Sequence, residues 1–357
     1  TTDIFQTFRR SELPLNVPSL NGNSGTILYG VFAQLLKSLR IESKDVISQA
    51  IRRKGEMKFM TDTCWRLGKH ISQFSRDIKK KKAEGWVTRG ESYLADGEVE
   101  EALECSKRSL ALDNNLVSAY FLMARSLMPG DDYLALISRF HNFLKPQSYV
   151  EIGVAGGKSL RLVNSQTKAI GIDPSPQEGV ESHARLYEMT SNEFFESYNL
   201  FEELGTSRLP LAFIDGLHSF EQTLMDFINL ERYGDRETIV LIHDCLPITR
   251  LAASRTRSTF FWCGDVWKVV TTLLEYRPDL RTYVIPAPPS GLGVITNLDP
   301  NSTVLSERYD PIVTEYRDKQ LGYDFLDFGI LETLRARFNI VPNSWDYIVQ
   351  NVLNITQ

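Results

Sequence analysis

Several things are scarce in this chain. Its 357 residues include four cysteines and five histidines. Cys64, Cys105, Cys245 and Cys263 are far apart with no C-x-x-C pair. That argues against a disulfide framework or a clustered zinc site and predicts reduced thiols in a cytoplasmic protein. No apolar run approaches the roughly eighteen residues of a membrane span. The first residues, Thr1-Thr-Asp-Ile-Phe, lack a charged-then-apolar leader pattern, so no targeting segment is expected there. Neither sign of charge dominates: 40 Lys and Arg face 45 Asp and Glu, for a net −5. A broad nucleic-acid surface is therefore not expected, and Lys79 to Lys82 read as a solvated helix end. Apolar content of 42% and charged content of 24% suit a globular protein with room for two modest domains.

Two common nucleotide signatures are also incomplete. Residues 148–159 read Ser-Tyr-Val-Glu-Ile-Gly-Val-Ala-Gly-Gly-Lys-Ser, and 168–173 read Lys-Ala-Ile-Gly-Ile-Asp. This predicts a strand, a glycine-rich turn, a helix start and a second strand ending in an acid. Glycines at such a turn admit a ligand close to backbone N–H groups, and a helix N-terminus would add positive potential. An acid about twenty residues past the first glycine is placed to grip ribose hydroxyls. The dinucleotide fingerprint G-x-G-x-x-G lacks its second glycine here. The phosphate loop G-x-x-x-x-G-K-S is one residue short, because Ile152 stands where its first glycine should be. The stretch instead resembles the first motif of class I S-adenosylmethionine (SAM) methyltransferases. The resemblance implies that Glu151 and the turn Gly153, Gly156, Gly157 and Ser159 face the methionine part of SAM, and that Asp173 binds its ribose.

Along the chain, residues 1 to about 25 read as irregular, and helical periodicity runs from about Thr26 to Lys82. Trp86-x-x-x-Gly90-x-x-Tyr93, followed by Ala102, Leu103, Leu110 and Leu112, resembles one tetratricopeptide-like hairpin over about 83–128. One such repeat cannot bury its own face, so it should pack on the helices before it or on a second subunit, as a homo-oligomer; the plainer reading is a helical cap over the catalytic domain. The expected division is an all-α domain over 1–130 and a catalytic domain over 131–357. In the latter a helix (Tyr133 to Leu144) precedes strands near 148–153, 168–173, 185–189, 210–215, 238–243, 281–286 and 292–297. Their alternation with helical patterns predicts an α/β, doubly wound, mostly parallel sheet. The short Ala287–Gly291 link makes the last two strands an antiparallel hairpin. Seven strands with a reversed last strand is the Rossmann-like layout that the methyltransferase resemblance implies. Helices over roughly 324–354 should pack on this domain or on a partner chain.

A second constellation lies at two strand ends. Residues 214–221 read Ile-Asp-Gly-Leu-His-Ser-Phe-Glu, and 242–244 read Ile-His-Asp. Ligands of open parallel sheets bind beyond the carboxyl ends of strands, so Asp215, His218, His243 and Asp244 should gather beside the glycine turn. Strand-end acids can also simply cap the next helix or turn. The combined pattern resembles the branch of class I methyltransferases that includes macrocin O-methyltransferase, over about 146–300. There the resemblance implies a divalent cation, Mg²⁺ or another, on Asp215, His243 and Asp244, with His218 as general base. His243 stands where that branch has a carboxylate, and imidazole suits softer metals than magnesium. Without a metal, Asp215 would orient His218 or contact SAM, and His243 becomes a second candidate base.

The segment Thr249 to Lys268, rich in arginine and aromatic residues, reads either as a substrate lid or as a surface helix. The expected activity is a SAM-dependent O-methyltransferase acting on a small hydroxylated molecule, a sugar or specialised metabolite. The alternatives are a peptide or protein acceptor recruited by the helical region, and an NTP-using phosphotransferase.

Overall fold

The computed structural model describes residues 57–180 and 182–353. The irregular stretch expected over 1–25, and the helical periodicity from Thr26 as far as residue 56, lie outside the described residues. The chain divides into two compact units, Thr1–Asp77 and Ile78–Gln357. Helix α1 (Met57–Ala95) begins in the first and ends in the second. Within the second unit, the end of α1 is followed by α2 (Val99–Leu112) and α3 (Val117–Leu127). Ala102, Leu103, Leu110, Ala119, Tyr120 and Met123 recur at helical spacing and are buried. Ser109 Oγ on α2 donates to the Ala83 carbonyl on α1 at 2.9 Å. These helices belong to the same compact unit as the sheet.

Helix α4 (Tyr133–Leu144) starts where the Asp132 side chain accepts a hydrogen bond from Ala135 N–H, and it ends at Lys145 in the left-handed region. The sheet comes next: β1 (Ser148–Ile152), β2 (Lys168–Ile172), β3 (Arg185–Tyr187), β4 (Leu211–Ile214), β5 (Ile239–His243), β6 (Arg281–Ile285) and β7 (Leu292–Thr296). Its order is β3-β2-β1-β4-β5-β7-β6. The first five are parallel, and β7 runs antiparallel between β5 and β6. This is the layout the methyltransferase resemblance implies.

Strands β1, β4 and β5 are buried along their whole length, as strands covered on both faces must be. Alternate residues serve opposite layers. Val150, Ala212 and Val240 pack with Leu224 and Phe227 of helix α7 (Phe220–Glu231). Tyr149, Leu211 and Leu241 pack with Leu136, Ile137 and Phe140 of α4. The C-terminal segment divides between the layers. Helix α11 (Phe328–Phe338) sends Leu331 and Phe338 to the first, and Ile348 and Val352 join the second. Helices α5 (Ser191–Ser197), α6 (Leu200–Leu204), α8 (Trp267–Tyr276), α9 (Val304–Glu307) and α10 (Tyr309–Tyr316) complete the surround.

The register pairs Ile152 with both Ile172 and Ile214, and Ile214 with Ile242. The carboxyl ends of β1, β2, β4 and β5 therefore finish level. Between β1 and β4 the strand order reverses, which opens a crevice above those ends.

Candidate active site

The first wall of the crevice is the turn after β1. Gly153 adopts φ 88°, and a Cβ there would lie 2.0 Å from the Asp215 carbonyl oxygen. The ends of β1 and β4 can therefore meet only because residue 153 is glycine. Gly153 N–H donates to Ile172 O and Asp215 N–H to Ile152 O, each at 2.8 Å, which ties three strand ends together. Asp173 shapes the turn itself: its Oδ2 accepts from Val154 and Ala155 N–H, both at 2.8 Å.

Glu151 is fully buried behind the turn. Its carboxylate accepts from Ser159 Oγ at 2.6 Å and Tyr149 Oη at 2.7 Å. Burial pushes its pKa up to about 8. Glu151 is not among the residues lining the crevice, whereas Gly153, Gly156, Ser159 and Asp173 are. The helix start expected after the turn is absent. Only residues 158–167 separate the turn from β2, too few for a crossover helix, and they form one 3₁₀ turn at Leu160–Leu162. No long helix dipole points at the crevice from this side.

The crevice holds a cavity of about 640 Å³. Ile152, Ile172 and Leu217 supply apolar wall; Asp173, Asp215 and Asp226 supply carboxylates, with Lys158 as the lysine. Sequence reasoning missed Asp226. It is 1% exposed, and its Oδ1 accepts from Ser191 Oγ at 2.6 Å and Gln222 Nε2 at 2.8 Å. Burial raises its pKa to about 6. An acid on the apolar face of α7, four residues after Gln222, was the available signal. Its partner Ser191 comes from α5 and is brought in by the fold.

The strand-end residues do converge. Asp215 Oδ1 lies 3.2 Å from His243 Nδ1 and 3.3 Å from His218 Nε2. His218 Nδ1 is 3.1 Å from both Trp262 O and Asp244 Oδ2. Its hydrogen bond goes to Trp262, and Asp244 Oδ2 is buried with no hydrogen bond. His218 (φ 57°) and Asp244 (φ 61°) both occupy the left-handed region that side chains rarely adopt. His243 sits further in: its Nε2 is 3.3 Å from Ser290 Oγ, and the Tyr133 ring lies against it at 4.1 Å.

This packing sets the charges. Burial alone would lower the pKa of His218, but the Asp244 carboxylate and the bond to Asp215 outweigh it and hold His218 at about 10. Burial likewise opposes charge on His243, yet Asp244 and Asp215 raise its pKa. Burial would raise Asp215, but the imidazoles of His243 and His218 hold it well below the usual carboxylate range. The two carboxylates thus favour the charged form of His218 in the resting site. One ligand atom each from Asp215, His218 and Asp244 lies within 4.8 Å of the others, a spacing able to hold a cation. Among the described residues, the converging trio contains His218 where His243 was expected.

The segment 249–266 forms turns, and its helix begins only at Trp267. Its arginines are engaged within the protein: Arg250 with Asp324 at 3.0 Å, Arg255 with Glu221 and Asp265 at 2.7 Å each. The surface helix read from sequence is therefore absent over 249–266. No described helix is long and apolar enough to cross a membrane.

Residues 150–245 match the family model of a methyltransferase domain. No curated protein matches the chain. Similar solved structures include a Podospora anserina methyltransferase bound to S-adenosylhomocysteine (SAH), at 15% identity, 50% of this chain, 86% of that chain and TM-score 0.36. Another is the O-methyltransferase TomG of Streptomyces achromogenes, involved in tomaymycin synthesis, in complex with SAM, at 13%, 57%, 90% and 0.35. A third is an O-methyltransferase of Bacillus cereus with SAH, at 11%, 60%, 99% and 0.36.

Proposed function

We propose that this SAM-dependent methyltransferase, whose family match spans residues 150–245, methylates a hydroxyl oxygen of a small molecule, with His218 receiving the hydroxyl proton at Nε2. The observation that carries this reading is the opening of the glycine turn, Asp173 and the Asp215–His218 pair onto one cavity. When bound, SAM supplies an electrophilic methyl group and a positive charge that opposes the imidazolium form of His218.

The residues fit that cofactor. Three carboxylates and one lysine line the cavity, which favours a cationic ligand over a polyphosphate. The amides of Val154 and Ala155 already donate to Asp173, and no helix of length succeeds them, so the chemistry of a phosphate loop is missing. The NTP alternative loses its physical basis. In the proposed site Asp173 holds the ribose hydroxyls, Gly153 and Gly156 admit the cofactor close to the backbone, and Asp215 orients His218. Glu151 supports the turn from behind, through Ser159.

A second reading rests on the approach of Asp215, His218 and Asp244, which favours a divalent cation there; His218 would then be a ligand and not the proton acceptor. Two carboxylates and an imidazole suit manganese or iron better than magnesium. Such a cation would polarise the acceptor oxygen.

The test is a thermal-shift comparison of SAH, ATP and NADH, then transfer of labelled methyl from SAM to a small-molecule extract. SAH alone should stabilise the protein. His218→Ala should lower transfer by about 10²-fold or more while SAH binds as before. Unchanged transfer removes His218 from the reaction. Loss of manganese affinity in the same variant would mark His218 as a ligand.

A further inference from the structure

Residues 259–264 run between the helical hairpin and the acid–imidazole cluster. We infer that they form a strap by which α2 and α3 position His218, with Trp262 as the positioning residue. The inference rests on the proposed role of His218.

At the hairpin end, the Phe261 ring stacks on Tyr120, with centroids 4.7 Å apart and planes at 16°. Phe121 meets the same ring edge-on at 6.1 Å. Phe260 N–H donates to Asn115 Oδ1, in the α2–α3 link, at 3.0 Å. At the other end, Trp262 O accepts from His218 Nδ1 at 3.1 Å. The Trp262 ring lies nearly parallel to the imidazole, 5.5 Å away at 21°. Gly264 presses against the His218 carbonyl so closely that a Cβ would lie 1.7 Å from its oxygen.

The strap is internally braced, so a displacement at one end reaches the other. Thr259 Oγ1 donates to Phe261 O at 2.6 Å, and Trp262 Nε1 donates to Ser254 O at 2.6 Å. Cys263 and Gly264 N–H both donate to Ala252 O. His218 needs such support because its φ of 57° is unfavourable for a side chain and is held only by its surroundings.

The chemistry gives the contact a purpose. A carbonyl only accepts hydrogen bonds, so Nδ1 must carry the hydrogen. The Asp215 carboxylate beside Nε2 also only accepts, so both nitrogens carry hydrogen in the resting ring, and the strap keeps the one on Nδ1 when Nε2 gives up its own. The helical hairpin, on this inference, fixes the tautomer that the reaction needs.

The test uses the full chain with ¹⁵N-labelled histidine and reads exchange of the His218 Nδ1 hydrogen with water. It needs no acceptor. Tyr120→Leu removes the stack, and Asn115→Ala removes the bond to the strap; neither residue touches the cluster. Exchange should quicken by about tenfold or more in each, with the His141 signal unchanged. Asn115→Ala, a change at a half-buried polar side chain in a loop, keeps the test open should Tyr120→Leu not fold. Unchanged exchange in the folded variants overturns the strap. Retained methyl transfer in His218→Ala would instead overturn the role of His218 and leave the exchange result standing.

Discussion

Glu151 offers a measurement in which burial has a calculable consequence. Its carboxyl is wholly buried between Tyr149 and Ser159, and its pKa rises from 4.5 to about 8. In the unfolded chain the group ionises near 4.5; in the folded chain it keeps its proton to about pH 8. The folded state therefore binds the extra proton between those values, and stability falls as pH rises through that window. At 1.36 kcal/mol per pKa unit the full loss is about 5 kcal/mol, complete above about pH 8. That is a large fraction of the roughly 5–15 kcal/mol typical of a folded protein. Glu151→Gln keeps the shape and cannot ionise. Urea unfolding of both proteins from about pH 5 to 9, without ligand, isolates the effect, because other titrations cancel in the difference. The variant should gain on the wild type with each rise in pH and finish several kcal/mol ahead. Parallel curves would refute the burial argument and would mean that Glu151 is hydrated in solution.

Gly153→Ala should cost about 3–5 kcal/mol and abolish SAH binding, because the new methyl meets backbone at 2.0 Å and the β1 and β4 ends cannot separate without opening the turn. Denaturant unfolding and calorimetry read both losses; a stable variant with normal SAH binding would refute the close approach. His141 gives the opposite pH sign. Burial lowers its pKa from 6.5 to about 4, and neither ring nitrogen has a hydrogen bond. Its contribution is lost as pH falls through that window, about 3 kcal/mol in full. His141→Phe should flatten the acid limb of the stability curve, and an unchanged limb would contradict this account.

Much of the scaffold was legible in the residues. The seven expected strands lie within two residues of the observed ones, and helix α4 has the expected ends Tyr133 and Leu144. Buried parallel strands leave a strong trace: short apolar runs such as Ile239 to Ile242, cut off by ionisable groups. The missing helix after Ser159 was also legible, since the few residues before β2 leave no room for it, but motif resemblance obscured the length.

The parts that escaped are those made by distant segments meeting. Asp226 matters because Ser191 from α5 reaches it. Trp262 matters because a turn lying 44 residues beyond His218 returns to that ring. The order of strand types and the ionisable groups at their ends were determined by sequence alone, because apolar periodicity and local chain stiffness act over a few residues. Which imidazole faces the cavity and which turns to Ser290, and which carboxylate oxygen lacks a hydrogen bond, were decided only by the tertiary structure. Those choices hang on left-handed backbone at His218 and Asp244 and on contacts from α4, the β6–β7 link and the 259–264 segment, none of which any local pattern encodes.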